Sequence, residues 1–362
     1  MFSLSLKEIQ FFKLRYVLIG FILFFISSLV FIISGLANGL ANDNASAMKN
    51  MQATSYYLAK DSENRLDRSH FSANDVAKMN NDHAQAFGLQ MMSLKDTNSK
   101  KKVDVTLMGL NPEKFIMPTV TEGKHLNTTT KNTVVADKTL QKQGVKIGDK
   151  LYEENTKTTF TVVGFTENQT YSHTPVVFMN NKTWNAFFGG KDRAAYNAIA
   201  VNNSSSNTKS DVEKHVADGK WIAKDDVVKK IPGYDAEQSS LFMMLAFLIV
   251  IAVFVLAAFF YIMTIQKVNQ FGILKAIGAK NGFLIGSTML QVLVLSIISI
   301  SLAIGFAYIL QSIMPNGIPF VFDFALIMKF GGVLLAVSLL GALFSSTSIV
   351  KADPLQAMGR VE

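Results

Sequence analysis

The sequence predicts a membrane α-helical protein with four transmembrane helices and a large extracytoplasmic α+β domain between helices 1 and 2. Three observations predict it. Four stretches, 16–36, 239–265, 281–322 and 324–350, carry no charge apart from Lys329 in the last. The segment between the first two, 41–238, is polar, with Asn, Thr, Lys and Asp throughout. The short flanks of the apolar stretches carry an excess of basic residues on one side. A mean hydropathy of +0.25 alongside 35 Lys+Arg and 27 Asp+Glu fits only if apolar and charged residues are segregated along the chain.

The net charge of +8 is compatible with a nucleic-acid partner, but its distribution argues against one. Residues 41–238 hold 26 basic and 23 acidic side chains, an ordinary solvated surface. The flanks hold Lys7, Lys13, Arg15, Lys267, Lys275, Lys280, Lys351 and Arg360 against Glu8, Asp353 and Glu362. Such an excess marks the cytoplasmic face and puts both termini there. Cysteine is absent, which removes disulfides, thiolate metal sites and cysteine nucleophiles; a domain of about 200 residues can stand on its own core instead.

In chain order, residues 1–15 read as a cytoplasmic amphipathic helix. Leu4, Leu6, Ile9, Phe11 and Phe12 interleave there with Ser3, Lys7, Glu8 and Lys13. The first span and its extracellular exit occupy 16–40. Its apolar run is close to the roughly 20 residues a spanning helix needs and longer than a signal-peptide core, so it reads as a retained anchor. Gly35 and Gly39, with Ser28 and Ser34 nearby, allow close helix approach.

The extracytoplasmic domain, 41–238, contains an N-cap signal at Ser72-Ala73-Asn74-Asp75 and a strand-and-turn signal over 144–149. Strands over 158–165 and 175–179 imply a small sheet, and short helices are expected over 181–188 and 211–216. The second span, 239–265, begins as a helix before the membrane. A cytoplasmic coupling segment, 266–282, follows; the third span is 283–311 and the fourth 325–350, joined by a short, stiff extracellular loop at 312–324. Residues 351–362 form the cytoplasmic C-terminus. Within the coupling segment Lys267, Phe271, Leu274 and Ile277 lie three or four apart, giving a short helix with a contact face.

That segment, QFGILKAIGAK, resembles the coupling segment of FtsX-like, MacB-type ABC transporter permeases, and the final KADPLQAMG resembles the ending of the same superfamily. Longer stretches, SLKEIQFFKLRYVLI, FIISGLANGL, Tyr171-Ser172-His173, YDAEQSSLFMM and AFFYIMTIQKVNQFGILKAIG, are similar to the haem-exporter permeases of Gram-positive bacteria within it. The resemblance implies a bacterial cell-membrane permease that pairs with a second copy of itself and with two copies of a cytoplasmic ABC ATPase. Haem would enter from the outer leaflet or the dimer interface, and ATP-Mg would act only through the partner. Motion would be relayed mechanically to the outer domains, without a conventional alternating-access channel.

The residues support that division of labour. No G-x-x-x-x-G-K-[ST] stretch is present, so this chain is not expected to be an enzyme and any ATP dependence belongs to a partner. Phe271, Leu274, Lys275 and Ile277 are the candidate ATPase-coupling residues, against the plainer reading of a connecting helix. Haem needs apolar surface, axial donors and polar neighbours. Tyr234 and Glu237 offer oxygen, Met243 and Met244 sulfur, and Tyr234, Glu237, Leu241 and Met244 stack on one helical face. Tyr171 and His173, two apart, would face the same way in a strand and form a second candidate. Ordinary roles compete: tyrosine is common at membrane interfaces, Glu237 could face water, and a methionine pair is usually packing. His70, His83, His125 and His215 lack metal-like spacing, so no metal site independent of haem is expected. Export of a peptide, lipid or antibiotic, or regulation of a cell-wall hydrolase or sensor kinase, remain the alternative functions; no paired-acid or nucleophile arrangement supports a membrane enzyme.

Overall fold

The computed structural model describes residues 2–79, 81–188, 195–315 and 318–350. The KADPLQAMG ending, with Lys351, Asp353, Arg360 and Glu362, lies outside the described residues, as do Asn316 and Gly317 of the 312–324 loop. The chain divides into two compact units, Met1–Gly39 with Ser239–Glu362, and Leu40–Gln238.

The first unit takes most of its residues from helices long and apolar enough to cross a membrane, Lys13–Asn50, Tyr234–Ile265, Asn281–Ile313 and Phe324–Ser345, the first two of which run on into the second unit at residues 40–50 and 234–238. Shorter helices, Phe2–Phe11 and Val268–Ala276, accompany them. Lipid offers no hydrogen bonds, so each span satisfies its backbone internally and presents apolar side chains outward. Leu23, Phe31, Phe260, Ile300 and Leu334 form part of the interior. Small residues set the closest approaches. The Ser299 hydroxyl donates to the Gly20 carbonyl at 3.0 Å, Thr264 and Ser345 share a hydroxyl pair at 3.0 Å, and a Cβ on Gly341 would sit 3.3 Å from Ala257 Cα.

The approach expected at Gly35 and Gly39 is made by a loop rather than by a helix. A Cβ at Gly35 would lie 2.4 Å from the Phe320 ring, and one at Gly39 would lie 2.0 Å from the Pro319 carbonyl oxygen. Val321 N–H donates to the Gly35 carbonyl at 3.1 Å and fixes the register. The loop after the third span is therefore packed onto the first.

The second unit is larger in its sheet than the sequence implied. Its strands, among the described residues, are β1 (Ser55–Ala59), β2 (Phe71–Ser72), β3 (Ala84–Asp96), β4 (Lys102–Leu110), β5 (Glu122–Gly123), β6 (Thr133–Asp137), β7 (Lys150–Glu153), β8 (Thr158–Thr166), β9 (Thr170–Tyr171), β10 (Thr174–Asn180), β11 (Ala195–Tyr196), β12 (Ala198–Val201) and β13 (Gly219–Ala223). The long strand β3 is shared. Its first residues pair with β12, its middle with β4 and its end with β7. Following the pairs β3-β4-β10-β6-β8-β7 and back to β3 closes a barrel, while β12, β1 and β13 continue the sheet on the other side. Closure leaves no free edge along that path and needs no cross-link, which suits a chain without cysteine.

Local chemistry explains the elements. In β8, TTFTVVGFT, β-branched and aromatic residues favour the pleat, and Phe160, Val162 and Phe165 turn inward. Helix Asn181–Phe187 is capped by Asn180, whose side chain accepts from Thr183 N–H at 2.8 Å. Helix Ser206–His215 starts earlier than position 211 because Ser205 caps it, accepting from Thr208 N–H.

Gly88 and Gly109 face each other across β3 and β4 and make a slot for Trp184. A Cβ on Gly88 would sit 2.1 Å from the indole and one on Gly109 2.3 Å from it. Overpacking of this kind costs about 1–3 kcal/mol. Gly109→Val is therefore expected to destabilise the outer domain by about that amount. Both tryptophans of the chain, Trp184 and Trp221, lie in this unit, so the fluorescence-detected denaturation midpoint of the full chain reads the effect; an unchanged midpoint would contradict the slot.

Candidate functional site

The hairpin between β9 and β10 carries two of the residues singled out in the sequence. Thr174 pairs with Tyr171, so only Ser172 and His173 form the loop, with φ of +48° and +63°. Two positive φ values at the centre of a two-residue loop are the type I′ geometry, which normally selects Asn and Gly. Here it corrects the expectation that Tyr171 and His173 share one face of a strand. Alternation does not apply inside a turn, and the two side chains part. Tyr171 is fully buried in the apolar core of the outer domain, and its hydroxyl has no hydrogen-bond partner. Burial pushes its phenol above the ordinary tyrosine range.

His173 goes the other way and meets three polar side chains. Its Nδ1 lies 2.8 Å from Asp43 Oδ2, and its Nε2 lies 3.1 Å from Glu237 Oε1. The Asn44 amide donates to Glu237 Oε2 at 3.1 Å. Asp43 and Asn44 come from helix Lys13–Asn50 and Glu237 from the first turn of helix Tyr234–Ile265, so the imidazole clasps two helices. The hairpin is itself stitched to the first of them. Ser172 N–H donates to the Asn44 carbonyl at 2.7 Å, Thr170 N–H to Ser46 Oγ at 2.9 Å and Thr170 Oγ1 to the Asn42 carbonyl at 3.0 Å.

The structure thus joins His173 to Glu237, which sequence spacing could not do, and adds Asp43 and Asn44, which it missed. Their signal was an Asn-Asp-Asn run at 42–44 directly after an apolar helix. Tyr234 stands one turn before Glu237, half-buried against the outer-domain core, with Lys49 Nζ 5.1 Å from its ring centroid. Met243 and Met244, further along the same helix, are exposed.

The connector Val268–Ala276 is resolved into two faces. Phe271 is 3% exposed and packs with Leu284, while Leu274 is half-buried beside them. Ile277, at the helix end, is 76% exposed, and Ile273 is also open. Lys275 donates to the Val350 carbonyl at 3.0 Å. Of the four coupling candidates, Ile277 presents its side chain outward, and Phe271 and Leu274 hold the connector onto the start of the third span. Ile273 is an outward residue that the spacing of three or four did not select.

Known families cover these elements almost completely. Residues 23–218 match the MacB-like periplasmic core domain, and residues 242–354 match the FtsX-like permease C-terminal region. This chain is a FtsX/MacB-type permease.

Two relatives of this permease carry the name hemin transport system permease protein HrtB. That of Staphylococcus haemolyticus is 31% identical over 99% of this chain and 100% of its own length; that of Staphylococcus epidermidis is 31% identical over 99% of both. Among solved structures, the periplasmic region of MacB from Actinobacillus actinomycetemcomitans aligns at 14% identity and a TM-score of 0.38, covering 50% of this chain and 93% of that one. The extracellular domain of YknZ, a Gram-positive ABC-type transporter, aligns at 15% identity and a TM-score of 0.32, covering 45% and 89%. The two family matches fill most of these 362 residues, and neither is a nucleotide-binding domain. Asp43, Asn44 and His173 fall in the first match and the connector in the second, while Tyr234 and Glu237 fall between them.

The clasp has a pH signature. Partial burial disfavours the His173 imidazolium, but hydrogen bonds and charge from Asp43 and Glu237 outweigh it, and the pKa is raised above 6.5. A raised folded-state pKa contributes stability that is fully present below the unfolded value and is lost as pH rises through the folded one. Outer-domain stability of the permease is therefore expected to decline more steeply as pH rises above about 6.5 than that of His173→Gln. Tryptophan-detected denaturation at graded pH measures it. Parallel curves for the two proteins would show that the imidazole is not charged in the clasp.

Proposed function

We propose that this permease is the membrane subunit of an ATP-driven exporter of haem. It acts as a pair of copies with a cytoplasmic ABC ATPase in a Gram-positive cell membrane, with both termini and the connector on the cytoplasmic side. The observation that carries this reading is the end-to-end similarity to two chains named as hemin transport permeases. The basic excess around the connector and the termini supports the orientation.

Haem is flat, apolar on its faces and polar at its propionates, and its iron accepts oxygen, nitrogen or sulfur donors. Met243 and Met244 are open and soft, Tyr234 and Glu237 supply oxygen, and all four lie on helix Tyr234–Ile265. His173 reaches the same helix through Glu237. Tyr171 is left out of this set because its hydroxyl lies inside the core. On the opposite task, Ile273, Lys275 and Ile277 supply the partner-facing surface of the connector, and Phe271 and Leu274 support it from behind.

Purified permease titrated with haem is expected to shift its Soret band, and Glu237→Ala to weaken binding roughly 10-fold, the equivalent of about 1.4 kcal/mol. An unchanged spectrum with correctly folded wild-type protein would return the cargo to peptides, lipids or antibiotics. Unchanged affinity in Glu237→Ala would move the haem site off this helix turn.

Ile277→Asp places a charge where an apolar anchor is exposed, and it is expected to weaken ATPase association by roughly 10-fold or more. Co-purification of the ATPase with tagged permease tests this, with haem titration as the control for folding. Full recovery of the complex would remove the connector's end from the docking surface.

A further inference from the structure

Lys267 heads the connector, directly after the second span, where a lysine ordinarily snorkels to the interface and keeps its ammonium in water. It does the reverse: the residue is 2% exposed. A lysine ammonium has three donors and no acceptor, and all three are used. They reach Glu8 Oε2 at 2.7 Å, Tyr16 OH at 2.7 Å and Gln291 Oε1 at 3.0 Å.

Each acceptor belongs to a different element. Glu8 sits on helix Phe2–Phe11, Tyr16 near the start of helix Lys13–Asn50 and Gln291 on helix Asn281–Ile313. The acceptors also bind each other, since the Gln291 amide donates to Glu8 Oε2 at 2.6 Å and the Tyr16 hydroxyl donates to Gln291 Oε1 at 2.5 Å. The Tyr16 ring lies under the ammonium at 5.3 Å from its centroid. One turn earlier, Ser5 Oγ donates to the Ser287 carbonyl at 3.1 Å, a second tie between the same N-terminal helix and the same span.

The two ends of the connector are built differently. At its far end Gly278 has φ of +101° and an open Cβ position, and its N–H returns to the Lys275 carbonyl of the connector itself at 2.9 Å. At its head the buried ammonium is fixed by three elements at once. Removing any acceptor leaves a charge short of partners in apolar surroundings, so the four groups separate at high cost or move together.

We propose that Lys267, clamped by Glu8, Tyr16 and Gln291, is the positioning residue that locks the head of the connector to the N-terminal helix and to the first and third spans. Nucleotide-driven displacement of the connector then carries those elements as one body. This rests on the connector being the ATPase-facing element, and it is independent of what the cargo is.

The chain has no cysteine, so a label pair can be placed cleanly on the exposed Leu14 and Gln270, outside the partner-facing set Ile273, Lys275 and Ile277, as Leu14→Cys and Gln270→Cys. The full chain, diluted with unlabelled copies and assembled with its ATPase in lipid nanodiscs, is measured by pulsed electron spin resonance without nucleotide and after ATP–vanadate trapping. Complex recovery is measured in parallel. The expected result is one distance, unchanged by trapping, in the otherwise wild-type pair. In Lys267→Met the distance distribution broadens and shifts on trapping while the complex is still recovered. Glu8→Gln, which keeps volume and an acceptor, gives a smaller shift of the same sense and carries the test where Lys267→Met does not fold; Tyr16→Phe, which drops only the hydroxyl, gives the smallest.

A distance that changes on trapping in the wild-type pair overturns the proposal, and so does one that stays fixed in both Lys267→Met and Glu8→Gln. Loss of ATPase association in parallel with the shift overturns it as well, because Lys267 would then serve docking rather than positioning. Failure of haem to bind leaves all these distances unaffected, so the cargo reading and this one fail separately.

Discussion

Inside hydrocarbon there is no water to satisfy a backbone amide or a bare charge, and that constraint orders the membrane unit. The spans are continuous helices because any break would expose backbone groups, and the polar side chains that remain are placed against one another. The pairs are unequal. An interhelical hydroxyl bond such as Thr264 with Ser345 contributes on the order of 0.6–2 kcal/mol, whereas removing one partner of a buried ion pair costs about 3–5 kcal/mol. The Lys267 cluster therefore outweighs the small-residue contacts that accompany it. The head of the connector is tied to three other elements, whereas Gly278 closes the connector onto its own Lys275 carbonyl.

The outer domain solves the opposite problem, since water competes for every polar group and the core must be apolar. Without cysteine it relies on the closed path through β3, β4, β10, β6, β8 and β7, and on a core filled from both faces of a shared strand. One local rule is broken. Ser172 and His173 hold left-handed backbone that Asn-Gly would adopt more cheaply, at a cost on the order of 1–3 kcal/mol each. The bonds from Ser172 and Thr170 to helix Lys13–Asn50 offset that strain, and the turn aims the imidazole at two carboxylates.

Elements dictated by solvent were legible in the sequence. Uncharged runs announced the spans because lipid tolerates little else, and β8 and β10 were visible because β-branched and aromatic residues dominate them. The hairpin of β3 and β4 was not, since its Gln, Met and Gly residues carry no clean alternation and its shape depends on Trp184 filling the glycine slot. Lys267 was counted among surface charges because a flank count sees sign and not partners; Glu8, its counter-charge, lies far away in sequence. Phe271 and Ile277 looked equivalent at helical spacing, and only the third span distinguishes the face that is covered. Tyr171 and His173 looked equivalent at strand spacing, and only the turn separates them.

Glu237 closes the network around the His173 turn. Its carboxylate is committed twice, to His173 Nε2 and to the Asn44 amide, and the clasp is strongest while the imidazole is charged. On the haem-export proposal, an iron centre seeking the same oxygen would compete with the His173 ring 3.1 Å away. Loss of the His173 proton weakens that competitor, and so does any displacement of helix Lys13–Asn50 that draws Asp43 from Nδ1. On that proposal, drawing Asp43 and Asn44 away also changes how available Glu237 is.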